Sequence, residues 1–322
     1  MDEGASISDD PGMRNWGGEL GFADVRTLGG RAGHTLLTAE IAVADSVWGP
    51  LAPWEKSAAR AFAVGLTMDS AVICGKSAAR LIGIEMPGWE DTVEVTYPGN
   101  RKPGGRRYWP EGVRFRYRNL DEGSIREHHG IRVTDSHRTV RDIAVLHSLT
   151  DGVVALDSAR RKWPNWSLGQ WEAGMFRGPR FKGMATVRQM LELSVPDSGS
   201  PQESLARVRL IVARLPGVES IRTQVRFEAG GRSFPVDLLL NGWLALEFDG
   251  ELKYEEGAFG RTTRETLLRE REREVLLLNL GLQIRRVRAE DLHLDEAGWC
   301  PMFGIVLDAL RGREEMHRQA LG

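Results

Sequence analysis

The residues best able to do chemistry lie late in the chain. Glu247 and Asp249 stand two apart in Leu244-Ala-Leu-Glu-Phe-Asp249. A strand has period two, so both carboxylates point to one face if the strand runs that far, while Leu244, Leu246 and Phe248 take the other. Asp237 sits in a second apolar run, Phe234-Pro-Val-Asp-Leu-Leu-Leu240. An acid inside an apolar strand is costly unless it is solvated, paired or bound to metal. Three acids on two adjacent strands can hold one hard cation through oxygen ligands. Such a cation lowers the pKa of its water and offsets the charge of a phosphoryl transition state. Lys253, four residues beyond Asp249, can reach back to water or a phosphate, and Glu203 on a preceding helix is a further acid. A strict two-residue hairpin at Asn241-Gly242 would set Asp237 opposite Leu246 and turn Glu247 to the other side. A shared site requires an odd-length loop or a bulge, which Gly242 or Gly250 can supply. The expectation is a shifted register with Asp237 and Glu247 on one face.

Each of these residues also has a plainer reading. Ser200-Pro201-Gln202-Glu203 is a capping box, with Ser at the N-cap, Pro at N1 and Glu at N3. Asp237 and Glu247 can form salt bridges to Arg273 or Arg286. Lys253 fits an exposed turn. The helix that carries Arg273 is mainly a solvated, salt-bridged face, with Glu265 and Arg269 a favourable i, i+4 pair. The histidines give no metal signal: His128 and His129 are adjacent, and no third ligand lies at a zinc spacing. No G-x-S-x-G, P-loop or G-x-G-x-x-G string is present.

The elements that must position the acids follow from periodicity and turn residues. Pro201 to Ala213 reads as a helix, with Leu205, Val208, Ile211 and Val212 inside. Strands follow over Ile221 to Phe227, Ser233 to Leu240 and Trp243 to Phe248, joined at Gly230-Gly231 and Asn241-Gly242. A long charged helix covers Thr262 to Leu280, a fourth strand Leu282 to Val287 and a last helix Pro301 to Arg311. Residues 200–322 therefore form a domain of order αβββαβ plus an extra helix. Upstream, helices are expected over Glu55 to Ala63, Ser77 to Ile82 and Asp151 to Arg161. A further helix is capped by Thr134 or Asp135 and runs through Ala144. Asp91 to Tyr97 reads as a half-buried strand, and Val113 to Tyr117 and Ile131 to Val133 as two more. This makes an α+β domain over 14–162, behind a disordered tail at 1–13. Residues 163–199 read as a connector, basic and aromatic, with one short helix over Val187 to Leu193.

Two basic stretches stand out. Residues 101–118 hold Arg101, Lys102, Arg106, Arg107, Arg114, Arg116 and Arg118 against Glu111 alone, a balance of +6. Arg114, Arg116 and Arg118 would make one strand face cationic, suited to phosphate neutralisation or to pairing with acids elsewhere. Residues 160–182 hold Arg160, Arg161, Lys162, Arg177, Arg180 and Lys182 against Glu172, a balance of +5. Trp163, Trp166 and Trp171 among them can stack bases or pack internally.

Two resemblances bear on function. Residues 198–312 resemble the PD-(D/E)XK restriction-endonuclease-like superfamily, in the branch related to very-short-patch-repair endonucleases. The likeness rests on Ser200-Pro-Gln-Glu203-Ser-Leu-Ala-Arg207, Gln224-Val, Val236-Asp237-Leu, Leu246-Glu247-Phe-Asp249-Gly250, Arg273 and Ile284-Arg-Arg286-Val. It implies a Mg²⁺- or Mn²⁺-dependent DNA endonuclease in repair or defence. Asp237, Glu247 and Asp249 would be metal ligands, Lys253 the electrostatic stabiliser and Glu203 an auxiliary acid, with Arg207, Arg273 and Arg286 in support. The superfamily's lysine normally follows its acid by two positions, where this chain has Asp249, and the related branch usually has His where this chain has Lys253. Residues 60–160 resemble AbiE-type antitoxins, through Ser77-Ala-Ala-Arg-Leu-Ile-Gly83, Gly130-Ile-Arg-Val-Thr134 and Arg138-Thr139-Val-Arg-Asp142-Ile-Ala144. That likeness implies a DNA-binding regulator with a toxin partner, and with it a nuclease fold that has lost its chemistry.

Composition bounds the rest. The chain has 322 residues and a net charge of −2, with 41% hydrophobic and 27% charged residues, as in a globular protein with ample core. That charge excludes a uniformly basic coat protein but not local basic patches. No apolar run approaches the roughly 20 residues of a membrane span, and the acidic start is unlike a signal or transit peptide. Cys74 and Cys300 both sit among apolar residues and read as buried, reduced thiols. A cytoplasmic protein is expected.

Overall fold

A computed structural model describes residues 13–30, 32–99, 101, 104–116, 119–248 and 263–321. The chain is mixed α/β and divides into two compact units, Met1–Ser194 and Val195–Gly322. Among the described residues no helix is long and apolar enough to cross a membrane.

The first unit begins with α1 (Trp16–Leu20), β1 (Ala23–Asp24), β2 (His34–Leu36), β3 (Ile41–Ala44) and α2 (Asp45–Trp48). Its three strands form a small antiparallel sheet in the order β1-β3-β2. Then come α3 (Pro53–Thr67), β4 (Val72–Ile73), α4 (Gly75–Leu81), β5 (Val93–Thr96), β6 (Val113–Phe115), β7 (Ile125–His128), β8 (Ile131–Thr134) and α5 (Ser136–Leu146). These five strands make one mixed sheet, β6-β5-β4-β8-β7. Asp135 is the N-cap of α5, its side chain accepting from the Arg138 N–H at 2.7 Å. The unit ends with α6 (Leu149–Lys162), α7 (Leu168–Met175) and α8 (Met184–Leu193).

Two expectations are corrected here. The alternation over Asp91 to Tyr97 suggested a half-buried strand, yet all four residues of β5 are buried. The strand lies inside the sheet between β4 and β6, and α3 and α4 pack on it, so even Glu94 is covered. Residues 163–199 are not a connector, because α7 and α8 pack on α5 and α6 and belong to the first unit. Trp171, Met175, Val187 and Met190 supply the reason: all four are fully buried. Residues 1–12 of the expected tail lie outside the described residues, and Met13 is buried.

The second unit holds α9 (Pro201–Ala213), β9 (Ile221–Ala229), β10 (Arg232–Leu240), β11 (Leu244–Phe248), α10 (Thr263–Asn279), β12 (Gln283–Val287) and α11 (Pro301–Leu321). Its sheet order is β12-β11-β10-β9, with β9, β10 and β11 antiparallel and β12 parallel to β11. Leu238, Leu240, Leu244 and Leu246 pack with Ala206 and Leu210 of α9 and Met302, Phe303 and Val306 of α11. Phe234, Val236, Leu239 and Ala245 join a second cluster with Leu276 and Leu277 of α10.

Residues two apart on a strand share a face, so Val236 and Leu238 should have packed together. They fall in different clusters, as do Val225, across from Val236, and Ile221, across from Leu240. The change of side falls between the pairs Val236↔Val225 and Leu238↔Thr223, where Asp237 and Gln224 lie, and Gln224 has φ +47° inside β9.

Candidate functional site

The hairpin of β10 and β11 decides how the acids meet. Its pairs are Leu240↔Leu244, Leu239↔Ala245 and Leu238↔Leu246, so the loop is the three residues Asn241, Gly242 and Trp243. Asn241 and Gly242 both take positive φ, +51° and +76°, which Gly and Asn tolerate best. One step further along this register Asp237 stands across from Glu247. The odd-length loop that a shared site demands is present.

Asp237 is held by the backbone of the neighbouring strand. Its Oδ2 accepts the Phe248 N–H at 3.0 Å, one residue beyond Glu247. Glu247 is clasped by Arg273 of α10, with Nη1 donating to Oε2 at 3.0 Å and Nη2 to Oε1. The same Nη2 donates to the Pro235 carbonyl at 2.8 Å, so the guanidinium also ties α10 to β10. Burial pushes the Glu247 carboxyl above the ordinary range, Arg273 pulls it back, and the Asp237 charge adds to the rise. Arg286 is paired in register with Glu247 on β12 and is exposed.

Glu203 enters from the first turn of α9. Ser200 caps that helix, its Oγ accepting the Glu203 N–H at 3.2 Å, and Pro201 fills N1. The reciprocal half of a capping box is not made at Ser200. Glu203 Oε2 instead accepts the Gly199 N–H at 2.8 Å, one residue earlier. A Cβ on Gly199 would lie 2.9 Å from Glu203 Oε1, so the bare glycine makes this approach possible. Glu203 is 6% exposed, and burial and the Asp237 charge both raise its carboxyl. Arg207, one turn later, is buried as well.

Gln224 joins the two acids. Its Nε2 donates to Glu203 Oε2 at 2.8 Å and lies 3.4 Å from Asp237 Oδ1. Sequence reasoning assigned it no role. The signal was available: a two-residue turn at Gly230-Gly231 sets residue 224 level with residue 237, between the pairs Val236↔Val225 and Leu238↔Thr223.

Among the described residues no three His, Cys, Asp or Glu are gathered so as to hold a metal by themselves. Asp249 and Lys253, expected as third ligand and stabiliser, lie outside the described residues. Magnesium keeps several waters and commonly takes only one or two protein carboxylates beside substrate phosphate. The pair Asp237 and Glu247 fits that donor set.

The basic side chains of the first unit divide into two kinds. Arg106, Arg114, Arg180 and Lys182 are exposed, as is Arg107; Arg101 is exposed and lies over the Tyr97 ring at 4.3 Å. Arg116 turns inward to an ion pair with buried Glu94, so it does not extend a cationic strand face. Arg177 bonds Asp135 at 3.0 Å, Arg161 pairs with Glu85, and Arg160 donates to the Ser194 carbonyl at 3.0 Å. The expected +5 stretch is thus largely engaged within the unit. Its tryptophans pack on one another rather than lying open: Trp163 stacks on Trp166, Trp166 on His137, and all three rings touch buried Trp171. Lys102 and Arg118 lie outside the described residues.

No family model, no curated protein and no solved structure matches this chain.

Proposed function

We propose that the second unit is a restriction-endonuclease-like, Mg²⁺- or Mn²⁺-dependent DNA endonuclease, serving repair or defence. One observation carries the reading: the three-residue loop sets a register whose next step beyond Leu238↔Leu246 is Asp237 and Glu247, and Asp237 bonds the Phe248 N–H beside Glu247. The helix, three antiparallel strands, helix and parallel strand around them support it. In this reading Asp237 and Glu247 hold the cation with Asp249, and Glu203 lends a further carboxylate through Gln224. Lys253 steadies the phosphate, and Arg101, Arg106, Arg107 and Arg114 grip DNA. The cation supplies neutralising charge at the phosphate and a water of lowered pKa. Asp237 is oriented by the Phe248 N–H, and Arg273 opposes the burial that raises the Glu247 carboxyl.

A second reading has its own support, the bidentate hold of Arg273 on Glu247. A guanidinium balancing that carboxylate takes the place of a divalent charge. This favours an AbiE-antitoxin-like transcriptional regulator in which a nuclease fold serves binding alone, with a toxin protein as partner.

Cleavage of plasmid, nicked, mismatched and single-stranded DNA with Mg²⁺ or Mn²⁺ separates the two. The endonuclease reading expects metal-dependent cutting that Asp237→Ala and Glu247→Ala each abolish. Undiminished activity in both variants refutes the site. Salt-sensitive DNA or toxin binding without cutting by any divalent metal establishes the regulator.

A further inference from the structure

We propose that Gln224 is a positioning residue, whose carboxamide holds Glu203 and Asp237 at a fixed spacing from each other; the proposal rests on the endonuclease reading. Three observations converge on it. The Gln224 Nε2 lies within reach of a carboxylate oxygen on each side, 2.8 Å from Glu203 and 3.4 Å from Asp237. The two acids belong to different elements, α9 and β10, and their like charges repel. A neutral group with two N–H donors is the simplest bridge between two acceptors, since a cation would compete with bound metal and a hydroxyl has one proton. Finally, the backbone of Gln224 takes φ +47° within a strand, a region rarely used by a residue other than Gly, Asn or Asp. Such a conformation persists where the surroundings require it. Here it coincides with the position at which the sheet changes its packing side, which turns the Gln224 side chain toward Glu203 and Asp237.

The residue acts through the two acids and needs no contact with substrate. Partners of this kind typically change metal affinity or activity by about 10- to 100-fold when removed. Two variants separate the carboxamide from the backbone. Gln224→Asn keeps an amide and a residue tolerant of positive φ but is one methylene too short to bridge. Gln224→Met keeps the length and removes the donors.

The test uses the full chain and three readouts: Mn²⁺ binding, cleavage kinetics and melting temperature. Both variants are expected to melt within a few degrees of wild type and to bind Mn²⁺ about tenfold more weakly or worse. Cleavage should lose kcat by a similar factor while KM for DNA moves less than about threefold. In a Glu203→Gln background the added Gln224→Asn effect should largely vanish, because the two substitutions break one link. Unchanged Mn²⁺ affinity and kcat in the variants, with wild type binding and cutting, overturns the role of Gln224 and leaves the endonuclease reading standing. Additive losses in the double variant overturn it too, as they indicate a general structural effect. A wild-type chain that neither binds Mn²⁺ nor cuts overturns the endonuclease reading and this role together.

Discussion

Glu94 is buried and bonded to three other elements of the first unit. It is 1% exposed, and its carboxylate accepts the Lys76 N–H at 2.9 Å and pairs with His147 at 3.0 Å and with Arg116. One side chain thus ties the start of α4, the end of β6 and the end of α5 to β5. Burial alone would raise its carboxyl, but His147 and Arg116 outweigh burial and hold it down to about 2 from 4.5. A folded value below the unfolded one means stability that is present above about pH 4.5 and drains away as pH falls toward 2. The shift corresponds to at most about 3 kcal/mol at neutral pH. Glu94→Gln should therefore lower stability at pH 7 and flatten the acid limb. Urea unfolding midpoints from pH 7 to pH 2.5 check this. Curves that stay parallel for the variant and wild type would show that another group governs the acid limb.

At the scale of elements, the loop between β10 and β11 controls the site. Asn241 does more than accept positive φ. Its Oδ1 accepts the N–H groups of Glu219 and Ser220 at 2.8 and 3.1 Å, and its Nδ2 donates to the Gly217 carbonyl. The residue thereby fastens the segment entering β9 to the turn that sets the register. Asn241→Ala removes three hydrogen bonds and a tolerated conformation, and should cost about 2–3 kcal/mol. A loss of less than about 0.5 kcal/mol in chemical unfolding would show that the register is held elsewhere. The elements of this unit were legible in the sequence because each has strong punctuation: Ser200-Pro201, Gly230-Gly231, Asn241-Gly242 and Gly281. Acid spacing gave Asp237 and Glu247, and the need for an odd loop followed from counting. The pairing of Glu247 with Arg273 stood only as one of two options, since helix rotation about its axis is set by packing. Gln224 had no signal in its type; its role comes from a backbone conformation that no residue preference announces. In the first unit the two-residue β4 and the short β1 to β3 are too brief for periodicity, and α7 was hidden by the basic residues around it. Asp91 to Tyr97 reads as half-buried because alternation cannot tell a central strand from an edge strand.

Across the whole molecule the net charge of −2 conceals a division of labour. Burying or pairing Arg116, Arg160, Arg161 and Arg177 spends their charge within the first unit. Arg106 and Arg114 remain exposed. If DNA is the partner, only the second kind should release counterions on binding. Each phosphate contact contributes about 0.9 to the slope of log K against log salt. The double variant Arg106→Ala/Arg114→Ala should then lower the slope by about 2, with little change in melting temperature. Arg161→Ala, which removes a partner of Glu85, should leave the slope unchanged. Fluorescence anisotropy on one duplex, titrated from low to moderate salt, measures both. Equal slopes for the double variant and wild type would remove Arg106 and Arg114 from the DNA contact. A reduced slope for Arg161→Ala would mean that its ion pair opens on binding, and that the first unit rearranges around DNA.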